Sequence, residues 1–107
     1  DMSKFMRLMV FFDLPVVSKA DRRSYSLFHK FLKRDGYDML QFSIYARICN
    51  GQDSVKKHVQ KLRSNLPPHG SVRYMQVTEK QFADIVILVG EKIEKEKPKY
   101  TKQLSFF

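Results

Sequence analysis

Asp13 is the residue in this sequence best placed to do chemistry. It follows the apolar run Phe5-Met6-Arg7-Leu8-Met9-Val10-Phe11-Phe12 and precedes Leu14-Pro15. A Val- and Phe-rich run of this length reads as a strand buried on most sides. A carboxylate just past its end stands where a rigid scaffold hands over to a loop. Such a group can ligate magnesium, which takes one or two carboxylates together with water and substrate phosphate. The nearest acid, Asp21, reads as a helix-capping residue, and a second ligand could come from a symmetry mate if Asp13 lies near a two-fold axis. The plainer role for Asp13 is to open the turn before Pro15.

Arg22, Arg23, Lys30, Lys33 and Arg34 form a basic helix face close to Asp13 in sequence. Such a face neutralises phosphates regardless of base sequence. It belongs to a wider excess: the 107 residues hold 20 Lys and Arg against 11 Asp and Glu, a net charge of +9. Residues 1–50 carry nine basic and five acidic groups and residues 51–107 eleven and six, so the charge belongs to the whole surface. A polyanion is the partner this balance favours.

Other chemistries find little support. His29, His58 and His69 have no metal-ligand spacing with Cys49, which argues against zinc. Neither a Gly-rich phosphate loop nor a nucleophile elbow is present. Tyr37, Tyr45 and Tyr74 can stack on bases, but core or interface packing is the better reading of each. Cys49 is alone, which fits a reducing compartment. No apolar stretch approaches the roughly 20 residues that span a bilayer. Arg7 and Asp13 interrupt the early apolar stretch, so it is not a signal peptide and the expected location is cytoplasmic.

These residues need one domain to position them. Ser18 is a good N-cap with Asp21 at the third helical position, and Tyr25, Phe28, Phe31 and Leu32 recur at helical spacing. Gly36 ends this helix, which is expected over about 18–35. Residues 37–49 switch to a period of two. Leu40, Phe42, Ile44, Ala46 and Ile48 share one face, expected in the core, and Met39, Gln41, Ser43, Tyr45 and Arg47 share a more polar one. Whether 37–50 is one bent strand or two is open at this level. Asn50-Gly51 turns the chain and Asp53 is expected to cap a second helix, with Val55, Val59, Leu62 and Leu66 as its stripe. A strand at about Gly70–Thr78, a short turn at Glu79–Phe82 and a buried strand at Asp84–Val89 follow. Residues 1–90 thus read as the domain, 91–102 as a basic tether, and 103–107 as a short apolar strand that pairs with its own sheet or a neighbour's edge.

With these elements placed, Phe11-Phe12-Asp13-Leu14-Pro15, the basic first helix and Gln41-Phe42-Ser43-Ile44-Tyr45 resemble the Cas-two family of CRISPR-associated proteins over roughly residues 5–90. Val77-Thr78-Glu79-Lys80-Gln81-Phe82 resembles the segment found in members that accompany type II systems. The resemblance implies an α+β fold: a ferredoxin-like sandwich of an antiparallel sheet with two helices on one face. It also implies a symmetric homodimer with exchanged C-terminal strands. Asp13 matches the family's carboxylate at the end of the first strand, where a pair could hold one divalent ion such as Mg2+. Arg22 and Arg23 match positions that contact the nucleic-acid backbone. Two roles come with the resemblance. One is a scaffold that binds duplex DNA and bridges dimers of a Cas-one integrase during spacer acquisition; the other is a metal-dependent endonuclease acting on RNA or DNA. Of the two, the scaffold is the reading the sequence favours.

Overall fold

The computed structural model describes residues 4–96. Its order is β1 (Phe5–Asp13), α1 (Lys19–Arg34), β2 (Asp38–Gln41), β3 (Ile44–Asn50), α2 (Gln52–Arg63), β4 (Ser71–Thr78) and a short α3 (Glu79–Ala83), with a 3-10 turn at Glu94–Glu96. All strand pairs are antiparallel and the sheet runs β2-β3-β1-β4. This is the α+β, ferredoxin-like βαββαβ arrangement, and it places β1 in the middle. The expected C-terminal strand at 103–107 lies outside the described residues, as does the second half of the expected tether, 97–102.

Local chemistry explains α1. The Ser18 hydroxyl accepts from the Asp21 backbone N–H at 3.0 Å, and the Asp21 carboxylate accepts from the Ser18 N–H at 3.2 Å. That reciprocal pair satisfies two donors the helix start would otherwise leave unbonded. At the other end Gly36, with φ +91°, lets its own N–H reach Lys33 O and the Tyr37 N–H reach Leu32 O. This is the left-handed glycine ending expected from the sequence.

α2 begins differently from the expectation. Its N-cap is Gly51, no side chain caps it, and Asp53 sits inside the first turn. There the carboxylate meets the positive end of the helix dipole without bonding a backbone N–H. Leu66 lies beyond the helix end, half-exposed, and takes no part in the buried stripe.

Both helices cover one sheet face. Leu8, Val10 and Phe12 of β1 pack with Phe28, Phe31 and Leu32 of α1, Val55 and Leu62 of α2, and Tyr45 and Cys49 of β3. Burying each large apolar side chain contributes roughly 1.5–3 kcal/mol, and Phe12 also meets Phe28 edge-on and stacks on Tyr45. The core face of β3 is therefore the Tyr45–Cys49 face, which alternation alone marks as the more polar one. Residues 37–50 are split, not bent: Phe42 and Ser43 form the turn between β2 and β3, with Ser43 at φ +65°. Phe42 projects from the turn, 81% exposed, instead of sharing a face with Leu40 and Ile44.

The second sheet face is only partly covered. α3 places Phe82 against Met9 and Ala46, with Phe11, Leu40, Ile44 and Val77 around them. α3 is fixed by a capping box between Thr78 and Gln81 and by the buried Glu79 carboxylate, which accepts from Arg7 Nε at 2.5 Å and Nη2 at 3.3 Å. After α3 the expected buried strand does not form. Ile85–Glu91 lies across this face over a gap of about 500 Å3, and Val86, Leu88 and Val89 are exposed. The physical reason is a missing partner: β1 pairs with β3 and β4, and among the described residues no strand lies along the outer edge of β4.

Candidate acidic site and nucleic-acid interface

Alternation along β1 sends Leu8, Val10 and Phe12 towards the helices, and therefore sends Arg7, Met9, Phe11 and Asp13 to the open face. Asp13 is the last residue of β1 and is exposed. Its antiparallel partner on β4 is Ser71, while Phe11 is opposite Arg73. Directly opposed residues share a sheet face, and diagonal neighbours lie about 7–8 Å apart, within reach of a long side chain. Asp13, Ser71 and Arg73 thus stand together at one end of the open face. Arg73 is exposed and makes no ion pair with any described residue.

Gly70 makes this arrangement possible. It has φ +94°, and a Cβ there would lie 2.6 Å from the Asp13 carbonyl oxygen and 2.8 Å from Leu14 Cδ2. A side chain would push β4 away from the end of β1, so glycine is needed both for backbone shape and for space.

The register is what sequence reading missed. Alternation already puts Arg73 on one face of its strand, but only the β1–β4 pairing sets that face beside Asp13. A carboxylate can ligate a divalent cation, and a guanidinium can bind phosphate oxygens through two parallel N–H donors. Among the described residues no group of three or more His, Cys, Asp or Glu could hold a metal ion.

The basic residues of α1 occupy the opposite side of the molecule. Arg23, Lys30, Lys33 and Arg34 are exposed and form no ion pair among the described residues. Their helical spacing, together with Arg22, places them on the face turned away from Phe28, Phe31 and Leu32. Arg22 acts locally, its Nη1 donating to the carbonyls of Val16 at 3.2 Å and Val17 at 2.8 Å. It braces the loop between β1 and α1. The five predicted cations thus share one helix face, but that face and Asp13 lie on opposite layers of the sandwich.

Among the remaining candidates, His29, His58, Tyr37 and Tyr45 pack internally, while His69 is exposed. His29 Nδ1 bonds the Tyr45 hydroxyl, and burial pushes the Tyr45 phenol up. His58 Nδ1 lies 2.8 Å from Asp35 Oδ2 and Arg47 reaches the Asp35 carbonyl, tying the end of α1 to α2 and β3. Tyr37 and Tyr45 are buried, which leaves Tyr74, 45% exposed, as the one of the three tyrosines reachable by a base. No helix among the described residues is long and apolar enough to cross a membrane.

Comparison with known proteins identifies relatives along most of the chain. The family model described as CRISPR associated protein Cas2 matches residues 6–85. A protein named CRISPR-associated endoribonuclease Cas2 from Acidovorax ebreus (strain TPSY) is 58% identical over 102 residues, covering 95% of this chain and 100% of the relative. Relatives of the same name from Campylobacter jejuni and Flavobacterium psychrophilum are each 41% identical, over 97% and 94% of this chain and 73% and 86% of their own lengths. With the match spanning β1 through α3, the chain belongs to the Cas2 family of CRISPR-associated proteins.

Proposed function

We propose that this chain acts as a homodimeric, metal-dependent endonuclease on RNA, with the Asp13 carboxylates of two copies meeting at the two-fold axis. The observation that carries the reading is the position of Asp13, exposed at the end of a partly uncovered apolar sheet face and outside any cluster of three or more metal-ligating side chains among the described residues. The relatives' shared name, endoribonuclease, supports the same activity. In this reading the paired Asp13 residues hold Mg2+, which when bound supplies an activated water and charge stabilisation for phosphodiester hydrolysis. Arg73 contributes a bidentate donor to the phosphate, and Ser71 a hydroxyl beside it.

The dimer is supported by what the described residues of one chain leave unpaired. Ile85–Val89 has the composition of a strand yet lies largely exposed, and the outer edge of β4 has no partner among the described residues. Exchange of C-terminal segments between copies satisfies both, since an added strand buries apolar side chains and completes an open ladder. We also place the chain in a type II system on the resemblance of Val77–Phe82, the segment that forms the end of β4 and most of α3.

The test compares Asp13→Asn with the native dimer on single-stranded RNA and duplex DNA across magnesium concentrations. Loss of cleavage in a folded dimer supports the reading; undiminished metal-dependent cleavage would falsify it.

A second reading is favoured by a separate observation, the basic face of α1, whose Arg23, Lys30, Lys33 and Arg34 form no ion pair among the described residues. As a scaffold in spacer acquisition, the dimer carries twice +9, holds duplex DNA through Arg23, Lys30, Lys33 and Arg34, and bridges Cas-one integrase dimers. Arg22 supports that surface by bracing its loop. Spacer acquisition measured with and without Asp13→Asn separates the two: the scaffold tolerates the change and the nuclease does not.

A further inference from the structure

On the helical layer, between α1 and the segment after α2, lies a groove of about 360 Å3. Phe28 and Phe31 contribute buried rings to its lining, while Leu27 and Leu66 are 56% and 51% exposed along it. Pro67 and Pro68 stiffen one wall, since each fixes its own φ and lacks a backbone N–H. Lys30 and Arg34, one helical turn apart, stand on the α1 side, and among the described residues no Asp or Glu lines the groove. The nearest acid in sequence, Asp35, is only 9% exposed at its side chain and is held by His58 and Lys61.

We infer that this groove is a docking site for an acidic, amphipathic segment of a protein partner. Charge complementarity selects the occupant: two cations without a neutralising acid attract carboxylates, while Leu27 and Leu66 gain only from burying apolar side chains. An amphipathic helix with apolar anchors one turn apart and acids beside them satisfies both demands. Duplex phosphates could use Lys30 and Arg34 but would leave the two leucines uncovered. The groove also lies on the opposite side of the molecule from the open sheet face, so a second copy on that face leaves it free. The inference does not rest on nuclease activity at Asp13.

The test is selection of a phage-displayed library of random peptides against the full chain. It is repeated with Leu27→Asn/Leu66→Asn and with Lys30→Glu/Arg34→Glu. Both leucines are more than half exposed, so the neutral double variant should keep its fold, which circular dichroism checks. Enriched peptides should combine Asp or Glu with apolar residues at helical spacing. A synthesised winner should bind the leucine variant at least about tenfold more weakly, and the charge-reversed variant should select Lys- or Arg-bearing peptides instead. Three outcomes overturn the inference: no enrichment above background, winners without acids, or equal binding to the leucine variant. Weaker duplex-DNA binding by the leucine variant also overturns it, because that change leaves every cation in place and would make the groove a nucleic-acid surface.

Discussion

Asp13 on β1 and Arg73 on β4 stand on the same sheet face, one strand pair apart, because Asp13 is registered with Ser71 and Phe11 with Arg73. An anionic and a cationic group from distant parts of the sequence are thereby brought together. The pair lies away from the basic face of α1.

The first prediction concerns that pair. Asp13→Asn should lower metal-dependent RNA cleavage by at least about 100-fold, since a bound metal contributes several kcal/mol to the transition state. Its effect on thermal stability should stay within about 0.5 kcal/mol, as for other exposed positions. Arg73→Ala should lower kcat/KM by about 10- to 100-fold, the range of a lost charge-assisted hydrogen bond, and Arg73→Lys should recover part of it. Single-turnover kinetics with the three variants checks both.

Gly70→Ala should disturb the same end of the sheet from below. The φ of +94° and the 2.6 Å approach to the Asp13 carbonyl act together, so destabilisation by more than about 1–3 kcal/mol is expected. Cleavage should fall further than stability explains, because relief of the clash displaces Asp13. Urea unfolding alongside an activity assay separates these effects.

The Arg7–Glu79 pair is buried, with side-chain exposures of 5% and 3%, and the guanidinium lies 4.4 Å from the Phe82 ring centroid. Removing one partner, as in Glu79→Ala, leaves a charge without its main compensation and should cost about 3–5 kcal/mol. The double replacement Arg7→Met/Glu79→Leu should cost much less. A double-mutant cycle measured by urea unfolding tests the difference.

Tyr37 gives a pH prediction. Its hydroxyl is buried without a hydrogen-bond partner among the described residues, and burial, then the nearby Asp35, holds its pKa far above the usual 10.0. The folded state therefore keeps this proton more tightly than the unfolded chain does. The resulting contribution is fully present below pH 10 and is lost as the pH rises above the unfolded value towards the folded one. Stability should fall with rising pH above about 10, and Tyr37→Phe should flatten that fall. At neutral pH the same substitution should change stability by no more than about 1 kcal/mol, since no hydrogen bond is lost. Denaturant titrations between neutral and alkaline pH check both.

For the basic face, Arg23→Ala/Lys33→Ala should weaken duplex-DNA binding and make its salt dependence shallower, since each lost phosphate contact releases fewer counterions. Arg22→Ala should act differently, loosening the loop between β1 and α1 by freeing the Val16 and Val17 carbonyls. Fluorescence anisotropy across salt concentrations and hydrogen exchange of residues 14–18 distinguish the two.

By itself, the sequence determined what depends on near neighbours along the chain. Ser18 and Asp21 close the start of α1, Gly36 ends it, the apolar run makes β1 a buried strand, and Asp13 falls at its end. The motifs around Asp13 and Gln41–Tyr45 were enough to point to the family. These features are set by periodicity, capping and backbone conformations that act within a few residues. What only the tertiary structure decided is which groups distant in sequence meet. Alternation along 44–49 is the same whichever face is buried, and contact with α1 and α2 selected Tyr45 and Cys49 for the core. Register placed Arg73 beside Asp13, and packing of α1 on the Leu8, Val10 and Phe12 face put its cations on the other layer. The apolar composition of 84–89 could mark it as a strand but could not provide an edge for it to pair with. Hydrogen-bonding partners for a strand are a property of the assembled sheet, and among the described residues of one chain that segment has none.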